Sequence, residues 1–358
     1  MDSFLFAQNK THLLSTATYD CLYCEKPQTL GYTREQLFNA CLDPGVVPEY
    51  YLSIVVAARP MDYTADYRTK LQNTIDSTFL MAEKTKTLME IILVDWNPQP
   101  QRRPLRDSFR FRRSDFLTYR ILTVPRQIHD SLYQPDRSPT YEFEAKNVGI
   151  RFARGEFVLC SKLDDIWTTH LHNAVKSRSW RKGIFYTQSQ KDDSNGIKED
   201  SVQLSSFPTD DELDQACGIH DDYPMGSFKM TKAVEMNKDN YVQMTRHAGD
   251  FSLADRDTWK LTQGYREIGA KTWMDVELLL TAAWTLDIPI AYQPTSIFNC
   301  HQTSRLYNNN DMMDNVDIDD IKSKKISYMN KPGHWGLQGI DLYEQGMKCE
   351  VFRGGLGI

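Results

Sequence analysis

No stretch of the 358 residues approaches the roughly 20 consecutive apolar side chains that a membrane-crossing helix requires. The opening segment, MDSFLFAQNKTHLL, lacks the basic region, apolar core and cleavage site of a secretory leader, so the expected location is the cytoplasm. Neither a G-x-G-x-x-G turn nor a G-x-x-x-x-G-K-[ST] loop follows any apolar run, which sets aside a dinucleotide dehydrogenase and a P-loop enzyme. Positive charge is in deficit, with 42 Lys and Arg against 48 Asp and Glu and a net charge of −6. Nucleic acid is therefore not an expected partner, because phosphate neutralisation needs a concentrated basic face. The local exception, Arg102 to Arg113, reads as a solvated surface loop. Cysteine is sparse: seven residues, odd in number and scattered, fit reduced thiols better than a disulfide framework. Cys21 and Cys24 with His12 and Cys41 would supply four zinc ligands, but no second C-x-x-C or H-x-H knuckle accompanies them.

What is present is a series of apolar runs alternating with amphipathic ones. Tyr51 to Ala58 is β-branched at its centre and bounded by Arg59-Pro60, as a buried parallel strand should be. Tyr67, Leu71, Ile75, Phe79 and Ala82 then mark one face of a helix, and Met89 to Asp95 forms a second buried strand stopped by Trp96-Asn97-Pro98. This is a βαβ unit. A shorter strand over Tyr119 to Val124 follows, then a helix over Tyr141 to Arg154 that Gly155 would cap, then a strand over Glu156 to Ser161. The expected fold is thus α/β, a mostly parallel sheet flanked by helices. The first 48 residues read as an extension, 49–190 as a nucleotide-binding half, 191–301 as an acceptor and catalytic half, and 302–358 as a polar, partly ordered tail. Within the second half, 190–238 is polar and turn-rich, Asp275 to Leu286 is an apolar helix, and Ile288 to Tyr292 is a strand.

Lys162-Leu163-Asp164-Asp165 lies just past the carboxyl end of a predicted strand, the edge at which open parallel sheets bind ligands. Two readings of the aspartates are open. They cap the helix that starts near Thr168, or they hold a divalent cation together with a histidine from elsewhere.

Several blocks together resemble GT-A glycosyltransferases of the family 2 type. They are Ser53-Ile54-Val55-Val56-Ala57-Ala58-Arg59, Ile91 to Pro98, Ala145 to Gly149 leading to Ala153 to Phe157, Gly249-Asp250-Phe251, Gly264-Tyr265-Arg266-Glu267 and Trp273 to Leu278. The resemblance spans about Tyr51 to His301, and its blocks fall in the family's order. It implies a nucleotide-sugar donor, expected to be a UDP-sugar, and a carbohydrate or other hydroxyl acceptor. By position, Ala58 and Arg59 would line the base, Asp95 would hydrogen-bond it, and Asn147 would lie near the ribose or diphosphate. Asp164 matches the last aspartate of the D-x-D motif, with His301 as a further ligand of Mn²⁺ or Mg²⁺. Asp275 would be the general base, with Asp250 grouped beside it, and Trp273 would stack on a sugar ring. Two positions depart from the pattern. Lys162 replaces the first aspartate of D-x-D, a cation that would itself offset diphosphate charge, and Met274 replaces a glutamate.

Two rivals follow from the same residues. A nucleotidyltransferase would want a glycine-rich basic loop after the first strand, where Ala58-Arg59-Pro60-Met61 stands instead. A catalytically degenerate binding or scaffold module is the reading that Lys162 and Met274 favour.

Overall fold

The computed structural model describes residues 31–58, 67–133, 138–188, 204–205, 208–219, 229–231, 251–270, 273–293, 296–302, 318–323 and 328–354. Among these, nine strands form one sheet in the order β11-β3-β2-β1-β4-β8-β6-β9-β7. The strands are β1 Tyr50–Ala57, β2 Met89–Trp96, β3 Leu117–Val124, β4 Gly155–Ser161, β6 Phe185–Gln188, β7 Lys229–Thr231, β8 Ser252–Asp255, β9 Ile290–Gln293 and β11 Lys348–Phe352. A separate two-stranded ladder pairs β5 Asp165–Trp167 with β10 Asn299–His301. β3, β2, β1 and β4 are mutually parallel, as are β6 and β9, while β11, β8 and β7 run against their neighbours. The fold class expected from the alternating runs is therefore the one found.

The reason lies in burial on both faces. Every residue of β2 is buried, and so is all of β1 after Tyr50, because helices cover both sides. Helix Glu142–Phe152 packs on one face, where Gly149 lies so close to β1 that an added Cβ would stand 2.3 Å from Val55 Cγ1. Helix Tyr67–Thr85 covers the other face, placing Leu71, Ile75 and Met81 in the second apolar cluster with Ile54 and Val56.

Four expectations are corrected. Gly155 does not cap the preceding helix, which ends in extended Ala153; it opens β4. Glycine is needed there because a Cβ would meet Ser53 N at 2.5 Å and Phe157 O at 2.6 Å. The aspartates at 164 and 165 do not cap the next helix, Thr169–Ser177. Its N-cap is Thr168, and Asp214 Oδ1 accepts from the Thr169 amide at 2.9 Å. The tail is not merely polar: Lys348–Phe352 is the sheet's edge strand, antiparallel to β3. Nor are the cysteines all thiols. Cys41 is bonded to Cys349 and Cys217 to Cys300, while Cys160 is a buried free thiol. An odd total says nothing about which Cα atoms lie within bonding range, and these pairs stand 5.9 and 5.4 Å apart. Cys41 is thereby removed from any zinc set; His12, Cys21 and Cys24 lie outside the described residues, as does most of 190–238. Among the described residues no helix is long and apolar enough to cross a membrane.

Candidate active site

All of the strands that run with β1 end at one edge, where Ala58 follows β1, Asp95 lies at the end of β2, and Lys162 and Asp164 follow β4. At the end of β1, Ala58 is buried and its carbonyl accepts from Tyr67 Oη at 2.5 Å. At the end of β2, the buried Asp95 accepts from Arg102 Nη2. Burial raises the Tyr67 hydroxyl's pKa, with Arg102 opposing and Asp95 adding to the shift. Arg102 was not expected here, because it belongs to the arginine run read as a solvated loop. That run is instead fastened by ion pairs: Arg106 to Glu350 at 3.0 Å, and Arg110 and Arg112 to Asp76 at 2.7 and 3.5 Å. Arg59 lies outside the described residues.

Beyond β4 the chain turns sharply and presents two carboxylates. Asp165 Oδ2 accepts from Ser161 Oγ and, at 2.9 Å, from the Lys162 amide, which leaves its Oδ1 directed at His301 Nδ1, 3.1 Å away. Asp164 Oδ1 stands 3.5 Å from the same nitrogen. The β5–β10 ladder makes this meeting possible by setting His301 opposite Asp165. Gln302 locks the ladder further, since its backbone amide and its Nε2 both donate to Asp164 O at 3.1 Å. Lys162 is half-buried at the same edge.

Two carboxylates and an imidazole are donors suited to Mn²⁺ or Mg²⁺. Among the described residues no group of three His, Cys, Asp or Glu is arranged to enclose an ion. A closed cage is not what such a cation needs: Mg²⁺ is commonly held by one or two carboxylates plus substrate phosphates. Asp164 and His301 would be donors for such an open arrangement, and with Asp165 facing His301 Nδ1 the imidazole nitrogen left for a cation would be Nε2.

The third group is at the start of helix Met274–Leu286. Its N-cap is Trp273, half-buried and in the left-handed region at φ 71°, with no side-chain cap bond, so Asp275 is a first-turn residue and not the cap. The helix N-terminus favours a carboxylate there. Asp275 is half-buried; Glu277, two residues on and toward the other side of the helix, is held by Arg266, whose Nε donates to its Oε1 at 2.6 Å and whose Nη2 donates to its Oε2. Burial raises the Tyr265 hydroxyl's pKa, and the charges of Cys160 and Asp275 add to the shift. Asp250 lies outside the described residues. Met274 is fully buried among the core side chains.

Asn147 is placed differently from its expected role. It is fully buried, its Nδ2 donates to Tyr265 O at 2.7 Å and Glu267 Oε1 at 2.8 Å, and its Oδ1 accepts from the Tyr265 amide at 2.8 Å. Both ends of its amide hold the turn at 263–267.

No protein-family model matches the chain, and no curated sequence does. Among solved structures it is similar to S. aureus TarS 1–349, at 13% identity over 70% of this chain and 60% of that one, with a TM-score of 0.41. The same protein in complex with UDP matches at 15% identity over 70% and 60%, and in complex with UDP-GlcNAc at 14% over 70% and 58%, each with a TM-score of 0.41. The chain thus spans about 60% of the length of these structures. The likeness is one of overall shape, and neither residue roles nor activity pass across it.

Proposed function

We infer that the chain moves a sugar from a nucleotide-diphosphate donor, a UDP-sugar, to a hydroxyl acceptor at the carboxyl edge of the sheet. The observation that carries this reading is the meeting of Asp164 and His301, brought together from the middle and the end of the resembling region, with Lys162 two residues before Asp164. The base of the donor would lie against Ala58 and Asp95. Arg102, already on Asp95, offers further donors beside it. The diphosphate would face Lys162 and the Asp164–His301 pair, which would hold Mn²⁺ or Mg²⁺; the cation supplies charge that steadies the departing diphosphate.

Asp275 would take the proton from the acceptor hydroxyl. The acceptor oxygen then bonds to the anomeric carbon as the bond to the diphosphate oxygen breaks, and the electron pair leaves with the nucleotide diphosphate. Direct displacement of this kind inverts the anomeric centre. Asp275 is the carboxylate that the resemblance points to, while Glu277 carries the ion pair with Arg266. Trp273, half-buried just before Asp275, would flank the sugar.

The thermal midpoint of the wild type and of Asp164→Ala, measured with UDP in the presence and absence of Mn²⁺, tests the binding half. UDP with Mn²⁺ should raise the wild-type midpoint, by about 2.7 kcal/mol of stability at a hundredfold excess over Kd, and should lose that effect in the variant. Stabilisation by UDP alone would shift the phosphate role to Lys162, and no response to any nucleotide would sink the reading in favour of a scaffold. For the chemical half, Asp275→Asn should bind UDP as the wild type does while its turnover falls by about 10²- to 10⁴-fold.

A further inference from the structure

The turn at 263–267 is gripped from two sides by asparagines. Asn147 reaches it from helix Glu142–Phe152, as described. From the other side Asn330, in the segment 328–337 beyond the resembling region, donates from Nδ2 to Gln263 O at 2.9 Å and Tyr265 O at 2.6 Å, while its Oδ1 accepts from the Glu267 amide at 2.8 Å. The same segment sends the Gly336 amide to Glu267 Oε1 at 2.7 Å and places the Tyr328 ring under the Arg266 guanidinium, 4.6 Å from the centroid. Every residue of the turn from Gln263 to Glu267 is thus touched by 328–337 or by Asn147, because Gly264, at φ 66°, has Asn147 and Trp335 within 3.2 Å of where a Cβ would stand.

The Arg266 side chain points toward the start of helix Met274–Leu286, where its Nε and Nη2 donate to the Glu277 carboxylate. Hydrogen bonds from and to Asn330 therefore fix the turn, the turn fixes Arg266, and Arg266 through Glu277 fixes the first helical turn that presents Asp275. We propose that Asn330 is a positioning residue for Asp275, so that the C-terminal segment 328–337 is a working part of the active site and not a tail. The assignment rests on the reading of Asp275 as the general base.

Hydrogen exchange and steady-state kinetics on Asn330→Ala, with Asn330→Asp as a second variant that keeps the acceptor for the Glu267 amide and Lys331→Ala as an exposed neighbour control, separate the possibilities. In Asn330→Ala, amide exchange across 263–268 and 273–277 should quicken by about tenfold, the equivalent of one to two lost hydrogen bonds, while β1 and β2 exchange as before. Turnover should fall by about the same factor and the pH midpoint of its base limb should move, with the UDP dissociation constant unchanged. Asn330→Asp should show a smaller effect of the same pattern and Lys331→Ala none. Unaltered exchange over 273–277 in both Asn330 variants, or an unaltered pH midpoint and turnover, would overturn the proposal. A wild type that turns over no nucleotide sugar would overturn the reading of Asp275 as a base, and the exchange data would still decide whether Asn330 holds the helix start.

Discussion

Glu267 has a carboxyl whose surroundings favour the protonated form. Burial lifts its pKa to about 7, assisted by Glu144, against hydrogen bonds from the Gly336 amide and Asn147 Nδ2 and the charge of Arg151. The unfolded chain releases this proton near the ordinary carboxylate value, so between that value and about 7 the folded state binds more protons. Its contribution to stability is whole below the ordinary value and disappears as the pH rises through about 7. Glu267→Gln keeps the Oε1 acceptor that both neighbours use and has no proton to lose. The variant should therefore be the more stable protein above about pH 8, by about 1–3 kcal/mol, and should lose that advantage near pH 4 in a urea series at stepped pH. Side chains of this kind are where the sequence is least informative. The carboxylates and His301 could be singled out because their chemistry is scarce and their positions follow strand ends. Asn330 and Arg102 could not: an amide that bonds backbone carbonyls leaves no periodic mark, and one arginine among six in a loop looks like solvation until Asp95 is beside it.

At the scale of elements, the helix on β1 is set by a missing side chain. Gly149 brings helix Glu142–Phe152 within van der Waals reach of Val55, and Asn147 leaves the same helix two residues earlier to reach the turn. Gly149→Ala should cost about 1–3 kcal/mol through overpacking, seen as a lower urea midpoint with unchanged slope. The long buried strands were legible because two-sided burial writes an unbroken apolar run, as in Ile91-Ile92-Leu93-Val94. β8 and β11 were not, being four and five residues long, with β11 mixing Lys348 and Glu350 among its buried positions. Helix Arg34–Leu42 did carry a signal that went unread: Thr33 and Gln36 form a capping box, with Thr33 Oγ1 accepting from the Gln36 amide and Gln36 Oε1 from the Thr33 amide.

At the scale of the molecule, the ends of the described chain are neighbours. The Cys41–Cys349 bond joins helix Arg34–Leu42 to β11, and Arg154 reinforces the junction by donating to Ala40 O, Cys41 O and Asp43 O at 2.7, 3.0 and 2.9 Å. Arg256 does the same for Pro44, Gly45 and Val46. Cys41→Ser should lower unfolding free energy by about 2–5 kcal/mol, and in the same reducing buffer, where Cys217–Cys300 is cut in both, wild type and variant should share one denaturation midpoint. Such bonds persist where thiols are not kept reduced, so the wild type's midpoint in a reducing buffer bears on where the chain can work. The second bond, Cys217–Cys300, ends one residue from His301 and ties the β5–β10 ladder to helix Asp210–Ala216.

The bond between residues 41 and 349 also changes what the two ends can feel. Tension applied to them would pass from one sulfur directly to the other, and the chain between, whose two cysteines are 308 positions apart, would hang from the line of force without being stretched by it. Held by its ends, this chain is mechanically short: the sheet and everything built on its edge would stay folded under a pull, until a reductant cut the shortcut and let the force in.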